Sequence, residues 1–215
     1  MLWQDEGYLL SKNNFDENSI IIQAFTLDHG KYSGIVYGGS SKKQKKYFQI
    51  GNKILLNWKS KSENKMGYFS VELIKPIAPK FFDDKKRSIT ILSASSILKI
   101  LLPENQINKK IYNSYESFLN NLKDDDWIKL YIFWELSLIN NLGFETIFGK
   151  DDKFMKINNK NYKIPSIFIN KNINYNKNDI KEALIFNKAL MNENFLFPNK
   201  LKLPLSRNIL EKYYS

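Results

Sequence analysis

The chain has 215 residues, 43% apolar and 14% aromatic, which suits a packed globular protein with a real core rather than a disordered chain. Its 33 Lys and Arg outnumber 22 Asp and Glu, a formal charge of +11, so polyanions are the expected partners: nucleic acid first, an anionic membrane surface second. With no cysteine and one histidine, disulfides, thiol catalysis and thiolate zinc sites are excluded, and a Ser–His–Asp triad has almost no material. The opening Met-Leu-Trp-Gln-Asp-Glu places acids where a signal peptide carries lysines. The longest apolar stretch, Ile89 to Leu102, is broken by serines and Lys99 and is too short to span a bilayer. A cytoplasmic protein with no membrane partner is therefore expected. Heavy use of Asn, Lys and Ile fits AT-rich coding, which inflates the lysine count and lowers the weight of net charge alone.

In chain order, residues 1–75 read as β. Trp3–Ser11 forms a first strand. Ser19–Thr26 (Ser-Ile-Ile-Ile-Gln-Ala-Phe-Thr) is rich in β-branched and aromatic residues and is followed by the turn signal Asp28-His29-Gly30. Lys31–Tyr37 resumes as a strand and stops at Gly38-Gly39. In Lys53–Lys61, Ile54, Leu56 and Trp58 share one parity; in Gly67–Lys75, Phe69, Val71 and Leu73 oppose Ser70 and Glu72. Five short strands in about 75 residues are most economically a Greek-key barrel of the OB type.

Pro76 and Pro79 end the β region, so the expected domains are 1–78, the barrel, and 79–215, mainly α-helical: an α+β protein. Helices are predicted over Ser88–Leu102, Ile107–Leu122 and Trp127–Leu142. The last carries an apolar arc too wide for a surface helix and stops at Gly143. Residues 153–165 read as a small β-hairpin. Asp179–Met191 and Ser206–Tyr214 read as later helices, each opened by a capping residue.

Between Asp28 and Glu63 lie eight lysines and no carboxylate, interleaved with Tyr32, Tyr37, Tyr47, Phe48 and Trp58. On strands, such a segment presents a cationic face with rings, suited to the phosphates and bases of single-stranded nucleic acid. Its sharpest part is Gly38-Gly39-Ser40-Ser41-Lys42-Lys43-Gln44-Lys45-Lys46. Glycines there let backbone approach a ligand, and four lysines neutralise phosphates without reading bases. The plainer reading is a solvated loop. The run lacks the Gly-Lys-Ser/Thr ending of a phosphate loop, so nucleotide hydrolysis is unsupported. Of Tyr32, Tyr37 and Tyr47, at least one is expected in the core. His29 reads as a turn residue. The acid clusters Asp83-Asp84, Asp124-Asp125-Asp126 and Asp151-Asp152 flank helices or turns, where Asp caps; converging in a cleft, they would instead suit a two-metal nuclease.

These residues resemble the RecO family of bacterial recombination mediators nearly end to end. The similar blocks, in family order, begin with Trp3-Gln-Asp-Glu-Gly-Tyr-Leu-Leu-Ser11 and Phe25-Thr-Leu-Asp-His-Gly-Lys31 with Gly38-Gly39 and the basic run. Phe82-Asp-Asp84, Leu92-Ser-Ala94, Leu102-Pro-Glu104, Trp134-Glu-Leu136, Leu142-Gly-Phe144 and Lys202-Leu-Pro-Leu-Ser-Arg207 follow. The resemblance implies an OB domain and a helical domain without catalytic turnover. It implies binding of single- and double-stranded DNA, annealing of complementary strands, and help with RecR for RecA to displace the single-strand-binding protein SSB. DNA binding then falls on Lys31, Tyr37, Lys42, Lys43, Lys45 and Lys46, flanked by Lys59, Lys61 and Lys65.

Three departures from the family pattern stand out. Many relatives carry a cysteine zinc module where this chain has the cysteine-free hairpin, so neither metal nor cofactor is expected. Leu27, Tyr37 and Ser40 stand where relatives often have Lys or Arg, which implies fewer phosphate contacts. Phe133 replaces an arginine that helps dock the acidic SSB tail, with Lys129, one helical turn earlier, as a substitute. The expected role is a nucleoid-associated, non-enzymatic DNA-binding mediator of repair. The alternatives are an OB-fold RNA-binding protein and an Asp-dependent metal nuclease.

Overall fold

The structure is a computed structural model that describes residues 2–41, 44, 46–60, 66–149, 151–158, 160–170 and 174–215. Five strands come first: β1 (Leu2–Asn14), β2 (Ser19–Thr26), β3 (Gly30–Tyr37), β4 (Lys53–Lys59) and β5 (Tyr68–Lys75). They pair in the order β1-β2-β3-β5-β4, and β4 pairs back onto β1 to close a barrel. All pairings are antiparallel except the parallel meeting of β3 and β5 at Ile35 and Tyr68. This is the five-stranded OB arrangement.

Alternation explains the core. Ile20, Ile22 and Ala24 of β2, Ile54, Leu56 and Trp58 of β4, and Phe69 of β5 point inward with Leu9, Val36 and Phe48. Trp3, Tyr32, Tyr47, Val71 and Leu73 pack against them. The register shifts between Leu9 and Ser11, a bulge that lets the long β1 serve two neighbours, β4 through its first half and β2 through its second.

A 3-10 turn (Ala78–Phe81) leads to α1 (Lys85–Leu101), capped by Asp84, whose carboxylate accepts from the Arg87 backbone at 2.9 Å. α2 follows (Lys109–Asn120). The first compact unit runs from Met1 to Tyr112, past the prolines that end the β region. The outer faces of β1 and β2 supply the reason. Tyr8 and Phe25 are fully buried there, their rings 5.5 and 5.6 Å from Tyr112. Gly51, at φ +90, has no room for a side chain because Ile91 of α1 would lie 2.3 Å from its Cβ. Residues 104–106 also pair with β3: Asn105 donates to the Lys31 carbonyl at 2.9 Å.

The second unit runs from Asn113 to Ser215. It holds the rest of α2, α3 (Trp127–Asn141), the hairpin β6 (Phe154–Ile157) and β7 (Lys160–Lys163), α4 (Ser166–Ile169), α5 (Lys177–Met191) and α6 (Leu205–Lys212). Rings of Tyr115, Phe118, Tyr131 and Trp134 pack together at 5.5–6.5 Å. At the centre, Glu135 of α3 and Arg207 of α6 are both fully buried and ion-paired. Arg207 also donates to the Leu184 carbonyl at 2.8 Å, and Tyr131 donates to Glu135 at 2.6 Å. Burial opposes the charge on Arg207, but the Glu135 carboxylate outweighs it and holds the guanidinium protonated.

Some boundaries differ from the sequence reading. Asn176, not Asp179, caps α5; Asp179 completes a capping box by accepting from the Asn176 backbone at 2.8 Å. α6 has no side-chain cap and opens at Leu205 after Pro204. The 3-10 turn at Ala78–Phe81, the short α4 and a π turn at Asn192–Leu196 add three elements to those expected. α3 ends at Asn141, just before Gly143, whose φ of +100 suits the stop expected there.

Candidate nucleic-acid interface

The connection from β3 to β4 leaves the barrel through two glycines that do different work. Gly38 turns the chain at φ +71 into open space, where a side chain would be strained but unobstructed. Gly39 lies against β2: a Cβ there would meet Ile20 at 2.6 Å. This second glycine therefore seats the loop on the barrel, rather than opening backbone to a ligand. Ser40 pins the same point by donating to the Glu17 carbonyl at 2.9 Å, and successive turns, Gln44 onto Ser41 and Tyr47 onto Gln44, carry the loop back. Lys46 is exposed on this path, its ammonium 5.3 Å from the Tyr47 ring centroid. Beside the loop base, a cleft of about 670 Å³ is lined by Lys12, Asn13, Asp16, Glu17, Gly39 and Ser40.

At the end of the same barrel wall, Tyr37 is 63% exposed, and Lys59, the last residue of β4, is exposed beside Tyr68 of β5. The tyrosine rings lie 6.0 Å apart. Lys42, Lys43, Lys45, Lys61 and Lys65 lie outside the described residues. Lys46, Lys59 and Tyr37 thus share one barrel and reach solvent.

Lys31 does not join them. It is 6% exposed, and its ammonium donates to the Lys99 carbonyl at 2.7 Å. Burial holds its pKa below the usual lysine range, with the nearby Glu104 carboxylate opposing that shift. The lysine becomes part of the packing of residues 99–106 on β3, a contact between segments far apart in sequence. Tyr32 and Tyr47 are half-buried against the barrel core, which leaves Tyr37 as the outward ring of the three.

Several of the barrel's carboxylates are engaged in local contacts, while Asp16 and Glu17 line the cleft at the loop base. Asp5 accepts from the Asp28 backbone at 2.8 Å and lies 2.9 Å from His29 Nδ1. The His29 ring is stacked 4.1 Å over Trp3, so the lone histidine is a structural turn residue. Glu6 pairs with Lys53 at 2.7 Å and Asp28 with Lys109 at 2.6 Å. Glu104 accepts from Ser33 at 2.8 Å and Gln23 at 3.1 Å.

The three aspartate clusters serve local structure. Asp84 caps α1 and binds the Arg87 guanidinium at 2.6 Å. Asp126 accepts from the Tyr175 hydroxyl at 2.5 Å, and Asp152 accepts from the Gly149 backbone at 2.7 Å. Among the described residues, no group of three or more His, Cys, Asp or Glu is placed to hold a metal ion. No helix in the described residues is long and apolar enough to cross a membrane.

In the second unit, Phe133 is half-buried on α3 and meets Phe168 edge-on at 5.5 Å. It separates two clefts. One, of about 250 Å³, is lined by Ser114, Ser117, Phe118, Asn121, Leu130 and Trp134. The other, of about 410 Å³, is lined by Leu136, Asn140, Thr146, Ile147, Phe148 and Phe168. Lys129, one turn earlier, places its ammonium 5.5 Å from the Tyr175 ring centroid. Trp127 and Trp134 are core residues.

Two residues on the barrel wall were missed by sequence reasoning. Tyr68 could have been found, since the inward parity of Phe69, Val71 and Leu73 sends it outward with Ser70 and Glu72. Lys12 could not, because the β1 bulge resets the parity just before it.

Comparison with known proteins gives a consistent picture. The family model described as Recombination protein O N terminal matches residues 1–77, and its companion, Recombination protein O C terminal, matches residues 83–182. A DNA repair protein RecO from Wolbachia sp. subsp. Drosophila simulans (strain wRi) is 34% identical over 152 residues, covering 70% of this chain and 62% of that protein. One from Ehrlichia chaffeensis (strain ATCC CRL-10679 / Arkansas) is 34% identical over 163 residues, covering 75% of this chain and 64% of that protein. The matched stretch is thus less than two thirds of the length of these relatives.

Proposed function

This chain belongs to the RecO family, and from that premise we propose that it is a DNA-binding protein of repair and recombination that works without catalytic turnover. The barrel holds phosphates through Lys42, Lys43, Lys45, Lys46 and Lys59, with Lys61 and Lys65 alongside. The observation that carries this reading is the acid-free run through β3, its loop and β4. Residues 29–62 contain no acid. Lys46 and Lys59 reach solvent, while the carboxylates Asp5, Glu6, Asp28 and Glu104 are engaged elsewhere. A cationic surface of this kind screens two polyanionic strands at once, so complementary strands pair without working against their own repulsion. Strand annealing follows from that, and with RecR the protein would assist RecA loading on SSB-coated DNA.

The helical unit supplies the protein-docking part. The acidic tail of SSB is assigned to the clefts beside Phe133, with Lys129 as the cation in place of the arginine carried by relatives. The barrel and the helices thus hold separate roles, one for DNA and one for a protein partner.

The test is to replace Lys42, Lys43, Lys45 and Lys46 together by Ala and measure DNA affinity across a salt series. Each phosphate contact releases a condensed counterion, so the slope of log K against log salt should flatten by up to about 3–4 units, equally for all sequences. An unchanged slope would move the site off this loop. Matched RNA and DNA oligonucleotides in competition would separate a DNA-binding from an RNA-binding barrel, because the 2′-OH is the group that differs.

A further inference from the structure

The barrel wall carries a feature that counterion release does not explain, the exposed ring pair of Tyr37 and Tyr68. Tyr37 is 63% exposed and Tyr68 37% exposed, with centroids 6.0 Å apart and planes tilted by 56°. Backbone pairing fixes both. Tyr37 is the last residue of β3, and Tyr68 pairs with Ile35 across the seam that closes the barrel, where the Ile35 N–H donates to Gly67 at 3.0 Å. Beneath them the seam is tightly packed. A Cβ on Gly67 would lie 2.5 Å from the Trp58 ring, and one on Gly34 would lie 2.6 Å from Phe69 and 2.7 Å from Trp58. The platform therefore rests on filled core. Lys59 stands directly across from Tyr68 in the β4–β5 ladder, which places a cation beside the rings.

We propose that Tyr37 and Tyr68 form a stacking platform for two unpaired bases, which makes the barrel wall selective for single-stranded over duplex DNA. The proposal rests on the DNA-binding reading above and adds the form of nucleic acid preferred. Geometry selects the occupant. In a duplex, successive bases lie parallel, spaced about 3.4 Å apart along each strand, with both faces already covered by neighbours. Rings 6.0 Å apart and tilted by 56° match neither spacing nor orientation. An unstacked single strand can turn one base onto each ring while Lys59 takes a phosphate beside them.

The experiment compares the unmodified protein with Tyr37→Ala, Tyr68→Ala and the Tyr→Phe variant at each position, binding an oligo-dT strand and a blunt duplex of equal length at several salt concentrations. Each alanine variant should weaken single-strand binding about tenfold while leaving duplex affinity within about twofold and the salt slope unchanged. The phenylalanine variants should restore single-strand affinity, because the ring stacks without its hydroxyl. The inference is overturned if the alanine variants bind the single strand as the parent does, or lose strand and duplex equally. The parent reading fails differently: an unmodified protein that binds neither nucleic acid, or a four-lysine variant with an unaltered salt slope on both. Melting temperatures within a few degrees of the parent would show that these exposed substitutions leave the fold intact.

Discussion

Lys31 shows how far a single residue's role depends on what packs over it. In the sequence it is the first lysine of the acid-free stretch and sits in one of the blocks that resemble the RecO family. In the fold its ammonium is inside, donating to Lys99, with Glu104 nearby. Burial disfavours the ammonium, so its folded pKa lies below the ordinary lysine value of 10.5. Between those two values the unfolded chain holds more protons than the folded one, so this group's contribution to stability rises with pH across that window. Below the folded value both states are protonated and the burial penalty is complete. Lys31→Met removes the penalty but leaves the Lys99 carbonyl without its donor; at neutral pH the two effects offset to within about 1–2 kcal/mol. DNA affinity should stay within about twofold. In denaturant melts, the parent should gain on the Met variant as pH climbs toward 10.5. A large loss of DNA binding would return Lys31 to the interface.

At the scale of elements, the parts of the fold legible in the sequence are those set by local periodicity. The parity of Ile54, Leu56 and Trp58 placed β4 because one face is buried and the other is not. The wide apolar arc of α3 marked a central helix for the same reason. Less legible was anything made by two distant segments: the cover of residues 104–112 over β1 and β2, and the buried Lys31. The candidate site divides the same way. The exposed Tyr37 could be separated from Tyr32 and Tyr47 only once the strands were paired.

The Trp134-Glu-Leu136 and Lys202-Leu-Pro-Leu-Ser-Arg207 motifs looked independent, and they meet as the two ends of one ion pair, Glu135 with Arg207. This pair makes a sharp prediction. Glu135→Ala leaves a guanidinium with 0% exposure short of its main counter-charge and should cost about 3–5 kcal/mol. Replacing both residues by Met should recover much of that loss, because no unpaired charge remains. Chemical denaturation of the two variants checks both statements. A double variant as unstable as the single one would mean that the hydrogen bonds to Tyr131 and Leu184, not the charges, hold α6 in place.

For the whole molecule, the proposal is a division of labour, and it can be tested by asking whether one substitution affects one ligand. The barrel carries the acid-free segment 29–62; the helical unit carries Phe133 between two clefts, with Lys129 near the ring of Tyr175. A tail rich in carboxylates needs a cation near its docking cleft; Lys129 lies one helical turn before Phe133 on α3, and reversing its charge should repel the tail. Lys129→Glu should therefore weaken binding of a fluorescent SSB-tail peptide by about tenfold or more, through both the lost attraction and the new repulsion. DNA affinity and its salt slope should not change. The four-lysine alanine variant should give the converse, losing DNA while binding the peptide as the parent does. Fluorescence anisotropy with each ligand in turn separates the cases. If Lys129→Glu weakens DNA and peptide together, the two roles share a surface and the division fails. If it changes neither, the peptide binds away from α3, and the clefts beside Phe133 belong to packing alone.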